Sequence, residues 1–226
     1  PEFEIDEWHT CLFDPYETND IAGYNLALEA VYNALSPRPD CPKILAPESA
    51  GLWPDWYINE FIDKAHVYGY SHHLYGGDVD DPDGYIPDML FIAHNYSDKP
   101  LFQTEFAKGE RVPLTFNDAM NLALLMHNSL TVEGVSSYLY WELFWEAPKG
   151  LVGIVSSADY DINPVYYAFK HYSAFTDPGW QRVETTTNVY PDLRISAYIS
   201  PDNNNLSVVI INPSFFAIDA DLSFTG

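Results

Sequence analysis

The chain has 226 residues, of which 47% are hydrophobic and 16% aromatic, so it contains enough apolar material for one large domain or a domain and a half. Its 33 acidic and 10 basic residues give a formal net charge of -23, which repels phosphate backbones and anionic lipid. We therefore expect neither a nucleic acid nor a membrane surface as a partner.

The start of the chain, the length of its apolar runs and its cysteines give further expectations. No apolar run reaches the 18 residues of a membrane span, and the start at Pro1 shows neither an initiator methionine nor a signal-peptide pattern, so we expect a piece of a longer protein. Cys11 and Cys41 fit no metal motif, and no cofactor is expected. The helix predicted between them spans roughly 24 Å, and a disulfide needs Cα atoms within about 7 Å. We expect the two cysteines to be unbonded.

Helices and strands are predicted to alternate through residue 175. Apolar spacing and breaker residues predict helices over 20–35 (with Asn19 or Asp20 as N-cap), 54–65, 85–96, 117–132 and 163–175, and strands over 43–48, 66–74, 100–107 and 136–145. Alternation of this kind indicates an α/β fold in which crossover helices connect a parallel sheet. This first domain is predicted to cover residues 1–177.

The predicted secondary structure changes after residue 177. Short β-rich runs at 180–183, 193–199 and 206–211 are separated by turn residues. This pattern is typical of an antiparallel β-sandwich, of which residues 178–226 hold only a part.

Polar and aromatic side chains are predicted at the carboxyl end of each strand. They are Glu48, then His72, His73 and Tyr75, then Glu105, and finally Trp141 and Glu142. Because the carboxyl ends of parallel barrel strands open on one face, these residues are predicted to line one cleft. Carboxylates and aromatic rings, without a nucleotide loop or metal-ligand spacing, favour glycoside hydrolysis.

Three motifs in this order carry a family resemblance: 73–77 (His-Leu-Tyr-Gly-Gly), 103–106 (Gln-Thr-Glu-Phe) and 138–141 (Tyr-Leu-Tyr-Trp). Together with the β-rich tail they resemble glycoside hydrolase family 30, most of all its bacterial endo-β-1,4-xylanase and glucuronoxylanase branch. The resemblance implies the C-terminal half of a (β/α)8 TIM barrel, strands five to eight, followed by part of a β-sandwich side domain.

The same resemblance implies roles for individual residues. Glu105 matches the nucleophile of retaining cleavage, Tyr75 the tyrosine beside it, and Trp141 the aromatic floor under the sugar. The acid/base glutamate of the family precedes a proline that Pro1 matches. We therefore expect this glutamate just upstream, and we expect the 226 residues to be inactive without the upstream half of the barrel.

Four other side chains near the predicted cleft have alternative interpretations. Strand alternation sends one of His72 and His73 inward, and we favour His73 for substrate binding because it stands in the matching motif on the same side as Tyr75. Glu48 is predicted to line the cleft or support it by hydrogen bonds. Glu142 is predicted to point away, and neither glutamate is given a catalytic role.

The predicted activity is retaining cleavage of the β-1,4-xylan backbone by a secreted enzyme, the location being implied by the resemblance alone. The loop 143–151 contains no arginine and only Lys149, next to Glu146, so we expect no dependence on glucuronyl branches. Two alternatives stay open. One is a glucosylceramidase-like or β-1,6-glucanase activity of the same family, and the other is a non-catalytic carbohydrate-binding half-barrel.

Overall fold

The computed structural model describes residues 12–108, 113–188 and 193–224. The predictions for Pro1 and for the Cys11 partner of Cys41 lie outside these residues; Cys41 itself is exposed. The described residues divide into two compact units, one of 12–108 with 128–143 and one of 113–127 with the described part of 144–224. The boundary predicted between 177 and 178 falls inside the second unit and stays a prediction.

The first unit begins with a short parallel pair, β1 (Phe13–Asp14) and β2 (Ala22–Gly23), followed by helix α1 (Tyr24–Leu35). The predicted start of this helix at residue 20 was wrong. Residues 22 and 23 pair as a strand, and the N-cap is Gly23, without a side-chain cap. The carboxylate of Glu17 instead accepts a hydrogen bond from Gly23 N, at 2.7 Å.

Three parallel strands form the sheet of this unit: β3 (Leu45–Ser49), β4 (Gly69–His73) and β5 (Leu101–Glu105), in the order β3-β4-β5. The prediction of parallel strands in these segments is confirmed. Every residue of β4 is buried, as expected for a central strand covered on both faces.

The helices between these strands are shorter than predicted. Helix α2 (Asp55–Ile58) ends seven residues before the predicted end at 65, and a separate 3-10 turn, Lys64–His66, follows it. The Asp63 carboxylate starts that turn by accepting from Ala65 N at 2.8 Å. Helix α3 (Ile86–Asn95) follows a 3-10 turn, Pro82–Tyr85, and lies within the predicted range.

The predicted fourth strand, 136–145, is reduced to an extended segment beside β5. Ser136 N donates to Leu101 O at 2.7 Å and Leu139 N donates to Gln103 O at 3.1 Å, but only one parallel bridge, Gln103 to Tyr138, forms. The later part of the predicted strand leaves β5, because residues 144–146 pair with another segment. The core of this unit is formed by buried side chains from the helices and strands, including Leu28, Ile58, Tyr70, Ile92 and Leu101.

Helix α4 (Phe116–Asn128) belongs to the second unit up to residue 127, and the π-helical turn that follows it in the chain, Ser129–Glu133, belongs to the first. The described residues of the second unit after α4 form two sheets and a helix. They are β6 (Phe144–Glu146), β7 (Val152–Ser156) and β8 (Asp159–Ile162); helix α5 (Pro164–Ser173); and β9 (Gln181–Val183), β10 (Arg194–Ile199) and β11 (Leu206–Ile211). Strand β6 lies within the segment predicted as a loop, 143–151.

The antiparallel strands predicted in the tail are present, in the order β11-β10-β9. They form a single three-stranded sheet, so the sandwich stays a prediction. Among the described residues, no helix combines the length and apolar character that crossing a bilayer requires.

Candidate active site

Glu105 is the last residue of β5, at the carboxyl end of the parallel sheet. The neighbouring strand β4 brings His73 opposite Glu105, and the register between the two strands shifts between His72 and His73. An irregularity of this kind re-aims side chains at the strand end. The Glu105 side chain is 23% exposed, so its carboxylate is accessible from solvent at this edge.

Tyr75 lies beside this carboxylate. Its hydroxyl donates a hydrogen bond to Glu105 Oε1 at 3.0 Å. The Tyr75 ring is held on two sides, by stacking on Phe106 with a centroid distance of 6.2 Å and by an edge contact with His73 at 5.9 Å. A hydroxyl fixed in this way orients the carboxylate.

His73 lies between two glutamates and its side chain is only 3% exposed. Its Nε2 is 3.4 Å from Glu48 Oε1, and its Nδ1 is 3.9 Å from Glu105 Oε1. The structure therefore gathers Glu48, His73, Tyr75 and Glu105 into one cluster at the ends of three adjacent strands.

Glu48 is held as an anion in this cluster. Burial alone would raise its pKa, but the His73 imidazole, with smaller contributions from the Ser71 and Thr104 hydroxyls, lowers the pKa to about 2. Its backbone adopts a left-handed conformation with φ of 69°, which is uncommon for a residue with a side chain and recurs at functional sites. A carboxyl group with this pKa is a poor proton donor near neutral pH.

His72 faces away from the cluster and is wholly buried. Its Nδ1 donates to the carbonyl oxygen of His73 at 2.8 Å, and its Nε2 is 2.5 Å from Glu133 Oε1, which lies in the π-helical turn. Burial lowers the pKa of His72, but the charge and hydrogen bond of Glu133 outweigh it and raise the pKa. Of the two adjacent histidines at the end of β4, it is His73 that lies among the predicted site residues.

Trp141 follows the extended segment beside β5. Its backbone N donates to Phe106 O, one residue after Glu105, at 2.8 Å, and its ring is 47% exposed. The peptide bond between Trp141 and Glu142 is cis. The Glu142 residue is partly exposed. Trp141 thus adjoins the end of β5 with an open aromatic surface.

Sequence reasoning missed two ion pairs around the cluster. One is His72–Glu133. The other joins Lys108, just after β5, to Asp80 in the loop after β4, with Nζ 2.8 Å from Oδ1. The same Nζ also donates to Val79 O at 3.1 Å. The position of a lysine directly after a predicted apolar strand was the one available signal. No sequence spacing links these partners, which are 61 and 28 residues apart.

Two further features bear on what this region can bind. Among the described residues, no cluster of three or more His, Cys, Asp or Glu side chains could hold a metal ion. A groove of about 890 Å³ lies in the second unit, lined mostly by apolar residues of α4, α5 and β11, and it contains none of the predicted site residues. The chemistry-bearing side chains are therefore those at the ends of β3, β4 and β5.

Comparisons with known proteins identify relatives of the chain. No protein-family model matches it. It is 25% identical over 183 residues to the glucuronoxylanase of Bacillus subtilis (76% of this chain, 39% of the relative) and 22% identical over 174 residues to a candidate glucosylceramidase of Caenorhabditis elegans (70% and 32%). The chain spans about a third of the length of these curated relatives.

Solved structures with a similar fold are also found. A GH30 endoxylanase from Clostridium papyrosolvens matches 89% of this chain and 49% of its own, with a TM-score of 0.61 and 21% identity. An endo-β-1,6-glucanase matches 90% and 51%, with a TM-score of 0.65 and 20% identity. The fold is that of about half of a barrel enzyme, and the chain is related, at low identity, to the xylanases of glycoside hydrolase family 30.

Proposed function

We propose that this relative of the family 30 xylanases contributes the nucleophile half of a retaining glycoside hydrolase that cleaves the β-1,4-xylan backbone. The observation that carries the proposal is the Tyr75 hydroxyl donating to Glu105 at the carboxyl end of β5, with His73 beside it. A carboxylate oriented in this way is prepared to attack an anomeric carbon.

The steps of cleavage follow from the retaining mechanism. Glu105 attacks the anomeric carbon and forms a covalent glycosyl-enzyme, while a second carboxylic acid about 5 Å away protonates the leaving oxygen and then activates water. Glu48 is unsuited to the second role, because its pKa of about 2 leaves it ionised. We propose that the acid/base glutamate is supplied by residues upstream of Pro1, as the family resemblance implies.

The substrate-binding residues are also part of the proposal. Trp141 offers its exposed ring to the C–H face of the sugar, and His73 and Glu48 hold one another and hydrogen-bond sugar hydroxyls. We also propose that cleavage does not depend on glucuronyl branches. Lys149 is the basic residue of loop 143–151, and its Nζ donates to Glu146 Oε1 at 3.2 Å, so its charge is already paired with a carboxylate. Since xylan is a polymer outside cells, we propose that the protein is secreted and acts there. Measuring xylanase activity in culture supernatant tests this.

The decisive experiment uses the whole protein and a panel of xylan, β-1,6-glucan and an aryl β-glucoside. Glu105→Gln should lower turnover by about 10^4-fold or more, whereas the matched variant Glu142→Gln should retain it. Activity on β-1,6-glucan or the glucoside but not on xylan would favour the family alternatives. Binding of xylan without cleavage, unchanged in Glu105→Gln, would instead identify a non-catalytic carbohydrate-binding protein.

A further inference from the structure

Two neighbouring tryptophans follow β3, the half-buried Trp53 on the loop and the exposed Trp56 on α2. Trp53 and Trp56 have ring centroids 5.9 Å apart with planes at 29°, and Trp56 is 60% exposed. Two neighbouring aromatic rings, one of them open to water, offer a flat apolar surface of the kind found at ligand-binding sites. We refer to these two residues as the tryptophan platform.

The platform is built against the candidate active site. The six-membered ring of Trp53 packs on Gly76, where a Cβ atom would come within 2.8 Å of it, and Gly76 has a φ of +88° that favours glycine. The Trp53 ring also covers Gly51, close to the carbonyl oxygen of Tyr75. Tyr75, whose carbonyl oxygen lies at this contact, donates its hydroxyl to Glu105 Oε1 at 3.0 Å.

The platform is also rigid. Trp56 lies on α2, whose neighbouring residues Tyr57 and Ile58 are 3% and 0% exposed and belong to the core. The backbone before the helix is closed by Trp53 N donating to Gly51 O at 2.8 Å, and Tyr75 N donates to Ala50 O at 3.0 Å, which ties the loop to the end of β4. Rings held in this way lose little conformational entropy when a ligand stacks on them.

From this geometry we propose that the tryptophan platform binds a sugar unit of the same glycan, at a distance from the bond that is cleaved; the inference rests on the proposed function. The exposed face of Trp56 stacks on the apolar C–H face of a sugar ring, and Trp53 supports it from below. A neutral sugar suits the site, because Asp55 next to Trp56 and the net charge of -23 disfavour an anionic ligand.

The platform should matter only for substrates long enough to reach it. In the whole protein, Trp56→Ala should raise KM for xylohexaose by about threefold to tenfold, the range expected for one lost aromatic stacking contact. Both kcat for xylohexaose and KM for xylotriose should stay unchanged. Trp56→Phe, which keeps an aromatic face, should restore most of the binding. Phe91→Ala is the matched control, since Phe91 is an exposed aromatic (47%) on α3 with no contact to the platform.

Failure of this inference can be told apart from failure of the proposed function. If the protein cleaves xylan but Trp56→Ala leaves KM for xylohexaose unchanged, or raises it equally for xylotriose, the platform inference is overturned and the function stands. If no glycan is cleaved, the proposed function fails. Titration of the Glu105→Gln variant with xylohexaose then decides the platform: a saturable tryptophan fluorescence change that Trp56→Ala abolishes supports it, and no change overturns it.

Discussion

The buried pair of His72 and Glu133 should be the most sensitive point of the first unit. Both side chains are wholly inaccessible to solvent, and Nε2 of the histidine is 2.5 Å from Oε1 of the glutamate. Nδ1 faces the His73 carbonyl, which can only accept, so Nδ1 carries hydrogen and one further proton is shared between Nε2 and the carboxylate. Glu133→Ala removes that second partner and leaves a cavity.

The expected cost can be estimated from the burial of the pair. Breaking a buried ion pair by removing one partner costs about 3–5 kcal/mol, against a total stability of about 5–15 kcal/mol for a typical domain. For a chain of this size each kcal/mol shifts Tm by roughly 2–4 °C, so Glu133→Ala should lower Tm by about 6–20 °C. Glu133→Gln should cost much less, because its amide can still donate to a neutral His72 Nε2.

The assay is urea denaturation of the whole protein, followed by tryptophan fluorescence, for wild type and both variants. A double variant with leucine at both positions provides the control, since replacing a buried pair by apolar residues of similar volume is often close to neutral. A loss below about 1 kcal/mol in Glu133→Ala would refute the reasoning. So would equal losses in the alanine and glutamine variants.

The pH dependence of the same measurement has a defined sign. The pKa of His72 is raised in the folded protein, so its contribution is fully present below the unfolded value, 6.5, and declines as pH rises through the folded pKa. The stability advantage of wild type over Glu133→Gln should therefore be larger at pH 5.5 than well above neutrality. An advantage that grows with pH would contradict the assignment.

Three further predictions concern the surrounding cluster. The pKa of Glu48, lowered to about 2 from 4.5, should give the folded state about 3 kcal/mol above pH 4.5 that is lost as pH falls towards 2, and Glu48→Gln should flatten the measured stability over that range. Tyr75→Phe should lower kcat of the whole protein by about 10-fold to 100-fold with little change in KM, because one hydrogen bond to the charged Glu105 is lost; steady-state kinetics checks this. Lys108→Met should cost about 1–3 kcal/mol in urea denaturation, and Asp80→Asn clearly less, since the lysine keeps its other acceptor.

The end of β5 could be predicted from sequence because every signal there is local. An apolar run bounded by breakers predicts a strand, and a carboxylate at its exit lies at the carboxyl end of a parallel sheet. In the structure, Glu105 is the last residue of that strand. Strand alternation separated His72 from His73, and the structure has them facing opposite sides. The contact between Tyr75 and Glu105 came from the family resemblance rather than from spacing.

The parts that sequence could not predict depend on partners distant in the chain. The segment 136–145 has the aromatic residues of a strand, but a strand needs a neighbour, and beyond Tyr138 the chain turns to pair 144–146 with β7 instead. Glu133 lies just beyond a helical pattern read to residue 132, in a π-helical turn that helical periodicity does not reveal. Its role becomes visible only when His72 is found 2.5 Å away.

Strand β4 links the stability of the fold to the geometry of the site. It is buried along its whole length, and its last two residues are histidines that serve opposite faces: His72 is fixed by Glu133 behind the sheet, and His73 lies between Glu48 and Glu105 at its edge. The carbonyl of His73 accepts from His72, so the anchored ring also fixes the backbone that carries the His73 side chain. Substitution of Glu133 should consequently reduce activity by lowering the amount of folded protein. Substitution of His73 should instead act directly on Glu48 and Glu105 and affect stability less.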